Sequence, residues 1–420
     1  EQKPYMPHYR EAPWFEDGEP ADLPDDFYSS KFVVDRMIDY LETGRDDPAP
    51  FFAWVAFQAV HIPVQAPREI TAGYAGRFDA GWERLREERW QRAKQLGIIP
   101  ADAPLAPLPE SLRAWDDLAP DERAKYAKAM AVYAAMYEAM DQHIGRLVEY
   151  LRARGQLDST LFVVTSDNGP EPSDPVHAPG MGLWMALNGY HWDTETLGER
   201  RSLAFIGPEW AAAVASPGRL FKFYATEGGL RVPLVVAGPG VTPGRRVDSF
   251  AFATDVVPTI LEIAGVAPAA APDPVPITGR SLRPVLDGSA ERTYPEDAAV
   301  GVEVSGNAAL FKGNYKIVHN AGAFGDGRWH LYDIAADPGE TNDLAAAQPE
   351  RLAAMLADYD TYKREMGVLD LPEGYDVEWQ VRVNAISRQL SFYGWIPALV
   401  LALVVLALVV RRVRRRGSRS

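Results

Sequence analysis

Apolar positions recur every three or four residues in several stretches of the chain. Phe32, Val33, Met37, Ile38 and Leu41 do so within Tyr28 to Glu42, and Met130, Tyr133, Tyr137, Met140, Ile144, Leu147 and Leu151 do so from Asp121 to Arg154. Leu352, Leu356, Tyr359 and Met366 repeat the pattern within Pro349 to Met366. That period gathers side chains on one face of a helix, so each stretch predicts an amphipathic helix, the second ended by Gly155. Thr254 to Ala264 predicts another, with Pro258 early in it. Three short, largely apolar runs predict strands: Phe51 to Val60, covered on both faces and halted by Pro63; Leu161 to Thr165, buried and followed at once by Ser166-Asp167-Asn168-Gly169; and Leu234 to Ala237, followed by Gly238-Pro239-Gly240. A helix leading to a buried strand with polar residues at its carboxyl end is how open α/β sheets build sites. After Gly288 the pattern changes to short strands, Ala298 to Val304, Ala308 to Phe311, Tyr315 to Val318 and Trp329 to Tyr332, separated by glycine, asparagine and aspartate turns. With the helix from Pro349 they predict a smaller sheet-plus-helix part.

One further apolar run, Phe392 to Val410, carries no charge, and about 19 helical residues span nearly the hydrocarbon thickness of a bilayer. Aromatic residues flank one end and Arg411, Arg412, Arg414, Arg415, Arg416 and Arg419 the other. The expectation is a C-terminal membrane anchor, its basic tail 411–420 cytoplasmic and the body periplasmic or extracellular. An exported body needs a leader, and Glu1 is preceded by none, so residues are expected upstream. The predicted organisation is a catalytic part over 1–288 with a charged insertion at about 68–121, an α+β part over 289–370, a linker over 371–391, and the anchor.

The net charge is -15, and the body without the terminal arginines is more acidic still, which argues against binding nucleic acid. Cysteine is absent, which excludes disulfides, thiolate metal sites and a cysteine nucleophile within these residues. Asp167 and Asn168, a carboxylate beside an amide carbonyl, suit Ca²⁺ or Mg²⁺, although an SDNG segment fits a plain turn equally well. His61, between an apolar run and a proline, suits a proton donor or an anion ligand. Lys222 stands five residues before Glu227-Gly228-Gly229, a turn that lets backbone approach an anion closely. Each of these two also fits an ordinary structural residue. Zinc-binding histidine spacings, a Walker loop and a GxSxG elbow are all absent from the sequence.

Five segments in order resemble bacterial arylsulfatases of the alkaline-phosphatase-like superfamily: Phe52 to Pro67, Tyr133 to Gly169, Lys222 to Gly240, Ala253 to Val266 and Leu331 to Ala345 (LYDIAADPGETNDLA). Gly81 to Pro100 is similar to an insertion of the larger members. The resemblance implies a mixed sheet flanked by helices and hydrolysis of an organic sulfate ester to an alcohol or phenol plus sulfate. It implies Asp167 and Asn168 as metal ligands, usually to Ca²⁺ with Mg²⁺ the alternative, Lys222 as a sulfate contact, and His61 as a sulfate contact or proton donor to the leaving oxygen. The family's nucleophile is a formylglycine made by a formylglycine-generating enzyme from Cys-x-Pro-x-Arg or Ser-x-Pro-x-Arg. Neither motif occurs here, so the nucleophile and a preceding Asp-Asp metal pair are expected upstream, and the chain alone is expected to be inactive. A phosphodiesterase or phosphonate hydrolase of the same superfamily, and a membrane-tethered non-catalytic binding protein, are the alternatives.

Overall fold

A computed structural model describes residues 6–7, 12–44, 49–267, 276–372, 374–395, 399, 402–403, 405 and 407–408. It divides into two units. The larger comprises residues 28–176 and 191–371, the smaller residues 1–27, 177–190 and 372–420.

In the larger unit α1 (Ser29–Thr43), α2 (Gly81–Gln95) and α3 (Pro120–Ala153) are helices, the first and third formed by periodic stretches and the second by the charged segment between them. Helix α3 starts where Pro120 supplies a preset φ and needs no amide partner, and Glu122 reaches back to the Ala119 amide. Its buried face, including Tyr126, Met130, Tyr133 and Met136, forms the main core with Phe205, Trp210 and Phe221. The segment 68–121 is built into that core: Trp82 and Trp115 pack edge to face at 4.7 Å, and each meets Trp210 at 5.6 Å. Edge-to-face packing sets the positive ring edge against a negative face and adds to burial about 0.5–1.5 kcal/mol per pair.

Strand β1 (Phe162–Thr165) follows α3, helix α4 (Gly207–Ala215) packs on α2, and strand β2 (Leu234–Ala237) pairs antiparallel with β1, Val163 opposite Val236. Helix α5 (Val256–Ala264) ends at Gly265, whose φ of 66° suits a residue without Cβ. The predicted strand at 51–60 is not one. Its backbone joins no ladder among the described residues, and Phe52 and Trp54 are exposed, so apolar content there does not report a buried strand.

The four later strands are present as β3 (Ala299–Val304), β4 (Asn307–Lys312), β5 (Tyr315–His319) and β6 (Trp329–Asp333), one antiparallel sheet in sequence order. Alternation sorts their side chains. Leu310, Ile317 and Leu331 pack under Met355 and Tyr359 of helix α6 (Pro349–Met366), whereas Ala309, Phe311, Val318 and Tyr332 face Ala225, Leu230 and Phe250. A sheet covered on both faces explains why β4 is buried along nearly its whole length.

In the smaller unit, Met181–Asn188 and Val377–Tyr393 are helices, the latter capped by the Asp376 carboxylate accepting from the Trp379 amide at 2.9 Å. Among the described residues no helix is long and apolar enough to cross a membrane. This corrects the expected membrane-spanning helix over 392–410. The helix with defined bounds, Val377–Tyr393, takes in only Phe392 and Tyr393 of that run. Residues 396–398, 400–401, 404, 406 and 409–410 of the run, and the tail 411–420, lie outside the described residues. The membrane localisation and topology drawn from that run are withdrawn with it.

Candidate anion-binding site

Three backbone segments of the larger unit are locked together by glycine. The loop after β1 runs through Ser166 to Gly169, and the Gly169 amide donates to the Gly229 carbonyl at 2.9 Å. A Cβ on Gly169 would lie 1.9 Å from the Gly228 carbonyl oxygen, and one on Gly228 would lie 2.2 Å from that of Leu220. Only hydrogen fits at either position. The Lys222 amide donates to the Pro170 carbonyl at 3.1 Å, tying the same loop to the segment that precedes the glycine turn. Lys222 itself lies between Leu220 and Phe223, bulky residues with φ of 56° and 81°. Such conformations cost of order 1–3 kcal/mol and persist where surrounding contacts enforce them.

Into this framework come side chains far apart in sequence. The Lys222 ammonium stands 3.2 Å from His61 Nε2 and 2.8 Å from Glu171 Oε2, and His61 Nε2 is 3.7 Å from the same carboxylate oxygen. His61 Nδ1 lies 2.8 Å from the Ile62 carbonyl, which can only accept, so Nδ1 carries a proton. With Nδ1 so engaged, Nε2 is the ring nitrogen that faces Lys222 and Glu171. Burial pushes the Glu171 carboxyl up. Its bonds to Lys222 and to the amide and hydroxyl of Ser173 outweigh that and hold it below the usual range, so it is ionised at neutral pH.

The predicted pair Lys222 and His61 is thus brought together, whereas Asp167 and Asn168 sit on the adjoining loop and make no hydrogen bond or ion pair with either among the described residues. Asn168 Nδ2 donates to the Gly169 carbonyl at 2.9 Å, leaving Oδ1 to accept. The exposed Asp167 carboxylate has no side-chain partner among the described residues. An unengaged carboxylate and amide oxygen fit Ca²⁺ in kind, but a hard cation takes six to eight oxygens, and no group of three or more His, Asp or Glu side chains that could hold a metal occurs among the described residues. The pair is a fragment of a shell.

Sequence reasoning missed two features. Glu171 had one usable signal, a carboxylate three residues past Asn168 on the same loop. The second is a buried ionic cluster beneath the glycine turn, for which alternation in β5 gives only a lysine at an inward position. Lys316, fully buried, pairs with Glu227 Oε1 at 2.9 Å and Glu340 Oε1 at 2.8 Å, and Glu340 Oε2 accepts from the Glu227 amide at 3.2 Å. Burial opposes the lysine's charge, but the two glutamates outweigh it and hold its titration above the usual lysine range. Burial pushes the Glu340 carboxyl up. This cluster ties the segment Leu331 to Ala345, through Glu340, to the turn that abuts Gly169.

The sulfatase family matches residues 2–266, and the family described as N-sulphoglucosamine sulphohydrolase, C-terminal, matches residues 218–359. An uncharacterized sulfatase of Schizosaccharomyces pombe is 34% identical over 362 residues, covering 84% of this chain and 64% of that protein. The arylsulfatase of Klebsiella aerogenes is 36% identical over 272 residues, covering 63% and 58%. The chain therefore spans less than two thirds of the length of either relative. Among solved structures, Ps i-CgsB in complex with k-i-k-neocarrahexaose superposes with a TM-score of 0.55 at 19% identity, covering 90% of this chain and 62% of that one. The Bacteroides fragilis protein yidJ gives 0.53 at 17%, covering 84% and 62%. These two likenesses support the alkaline-phosphatase-like α/β fold, and the family match decides membership: the chain belongs to the sulfatase family.

Proposed function

We propose that the chain supplies the anion-binding part of an arylsulfatase-like active site, which hydrolyses an organic sulfate ester to an alcohol or phenol plus sulfate. The observation that carries this reading is the meeting of Lys222 and His61 at 3.2 Å across 161 positions of sequence, on backbone that glycines hold in register. An ammonium beside an imidazole offers donors to sulfuryl oxygens whose charge grows as the ester bond breaks. His61 Nε2, once protonated, is the atom placed to give a proton to the departing oxygen. Lys222 lies next to that nitrogen, so proton delivery follows relaxation of the contact when the lysine turns to the ester. Asp167 and Asn168 would hold Ca²⁺, which when bound supplies positive charge for the sulfuryl group. The formylglycine nucleophile belongs to a segment outside these 420 residues, since they contain no cysteine and no Ser-x-Pro-x-Arg.

The test is turnover of a chromogenic aryl sulfate by the complete reading frame, co-expressed with a formylglycine-generating enzyme. Turnover should fall at least a hundredfold in His61→Ala and in Lys222→Ala, within the range for removing a transition-state donor or a general acid. Undiminished turnover in both variants would reject this assignment of roles.

A further inference from the structure

We propose that Glu171 sets the charge selectivity of this site: as the fixed counter-ion of Lys222, it lowers the positive charge presented to an incoming ligand and so favours singly charged esters over doubly charged ones. The inference rests on reading Lys222 and His61 as anion ligands, and adds a residue that chooses among anions. The three side chains grade outward in exposure, Glu171 at 12%, Lys222 at 20% and His61 at 47%. A ligand reaching Lys222 from solvent meets the imidazole and the ammonium, with the carboxylate behind them. Glu171 is not free to swing away when an anion arrives, because its second oxygen is held by both the amide and the hydroxyl of Ser173. Its negative charge therefore remains in the site through binding.

A sulfate monoester carries one negative charge. A phosphate monoester above pH 7 carries close to two, its second ionisation lying near pH 6. A ligand oxygen on the far side of Lys222 stands two hydrogen-bond lengths from the carboxylate, about 6 Å. At that distance, with effective dielectric constants from about 40 down to 20, each ligand charge loses about ten- to a hundredfold in affinity to Glu171. The penalty applies once to the sulfate ester and twice to the phosphate ester.

The experiment titrates the chain, in calcium chloride at pH 8.5, with phenyl sulfate and with phenyl phosphate by calorimetry. Glu171→Gln, a neutral isostere, should tighten phenyl sulfate by about tenfold and phenyl phosphate by about a hundredfold, the square of the first factor. Glu171→Asp and Ser173→Ala, which keep the charge, should leave the ratio of the two affinities within about threefold of the parent. Equal factors for both ligands in Glu171→Gln, or loss of both, would overturn the proposal and leave Glu171 as a packing residue. Should Glu171→Gln not fold, the parent chain decides, because tighter binding of phenyl phosphate than of phenyl sulfate contradicts the selectivity claimed. Binding that survives Lys222→Ala, or no binding of either ester, rejects the reading of the site itself, whereas Lys222-dependent binding with an unchanged ratio rejects only the role of Glu171.

Discussion

Replacing Lys316 by methionine keeps an unbranched side chain of similar length and removes the one ammonium between Glu227 and Glu340. In the native chain the lysine side chain is 0% exposed, that of Glu340 0% and that of Glu227 4%, so water cannot take over the lost pairing. Breaking a buried pair on one side costs about 3–5 kcal/mol, because a charge is left in a poorly polarisable place. Two features temper this. Arg231 Nη1 remains 3.6 Å from Glu227 Oε2, and Glu340, its carboxyl already pushed up by burial, can take a proton. A loss of about 3 kcal/mol is therefore expected for Lys316→Met, measured as a lower urea midpoint at unchanged slope. The double variant Lys316→Met with Glu340→Gln removes the orphaned charge as well and should recover at least about 1 kcal/mol of that loss. A single-variant loss below about 1 kcal/mol, or a double variant no more stable than the single, would refute the claim that this cluster is a paired, desolvated unit.

Glycine positions give a contrasting pair of predictions. Gly169→Ala should abolish phenyl sulfate binding measured by calorimetry, because its Cβ would meet the Gly228 carbonyl oxygen at 1.9 Å and force the Asp167–Asn168 loop off the Lys222 segment. Gly145→Ala, exposed in the middle of α3 with nothing within 4 Å of the new Cβ, should stabilise the chain by about 0.5–1 kcal/mol in the same urea assay. His330 accepts a different test. Its ring lies 2.8 Å from Asp343 and 3.0 Å from Asp326; burial opposes its charge, but the two carboxylates outweigh that and raise its titration. A raised folded value gives stability that is complete below the unfolded value of about 6.5 and is lost as pH rises through the folded one. The melting temperature should thus fall as pH rises above about 6.5, and His330→Gln should flatten the fall.

Helices α1, α3 and α6 were legible in the sequence because tertiary packing and local periodicity agree in them. Residues 234–237 and the four later strands were legible because glycine and asparagine turns bound them. The apolar run at 51–60 was misleading for the opposite reason. Strand formation needs a partner ladder, which composition cannot announce, and Phe52 and Trp54 are exposed rather than covered. The run at 392–410 misled because a charge-free stretch records apolar content alone, whereas no helix among the described residues is long and apolar enough to cross a membrane. Within the candidate site, Lys222 and His61 were singled out through resemblance, but their contact was not foreseeable, since 161 positions separate them. Glu171 and the Lys316 cluster escaped because a carboxylate or a lysine in isolation is ordinarily solvated, and only the folded arrangement shows that each is held and paired.

The most direct test of the central claim is a crystal structure of the chain with phenyl sulfate bound. The account predicts sulfate oxygens within about 3 Å of both Lys222 Nζ and His61 Nε2, with the Glu171 carboxylate still on Ser173. Phenyl sulfate seated elsewhere on the chain, with the Lys222–His61–Glu171 cluster unengaged, would contradict it.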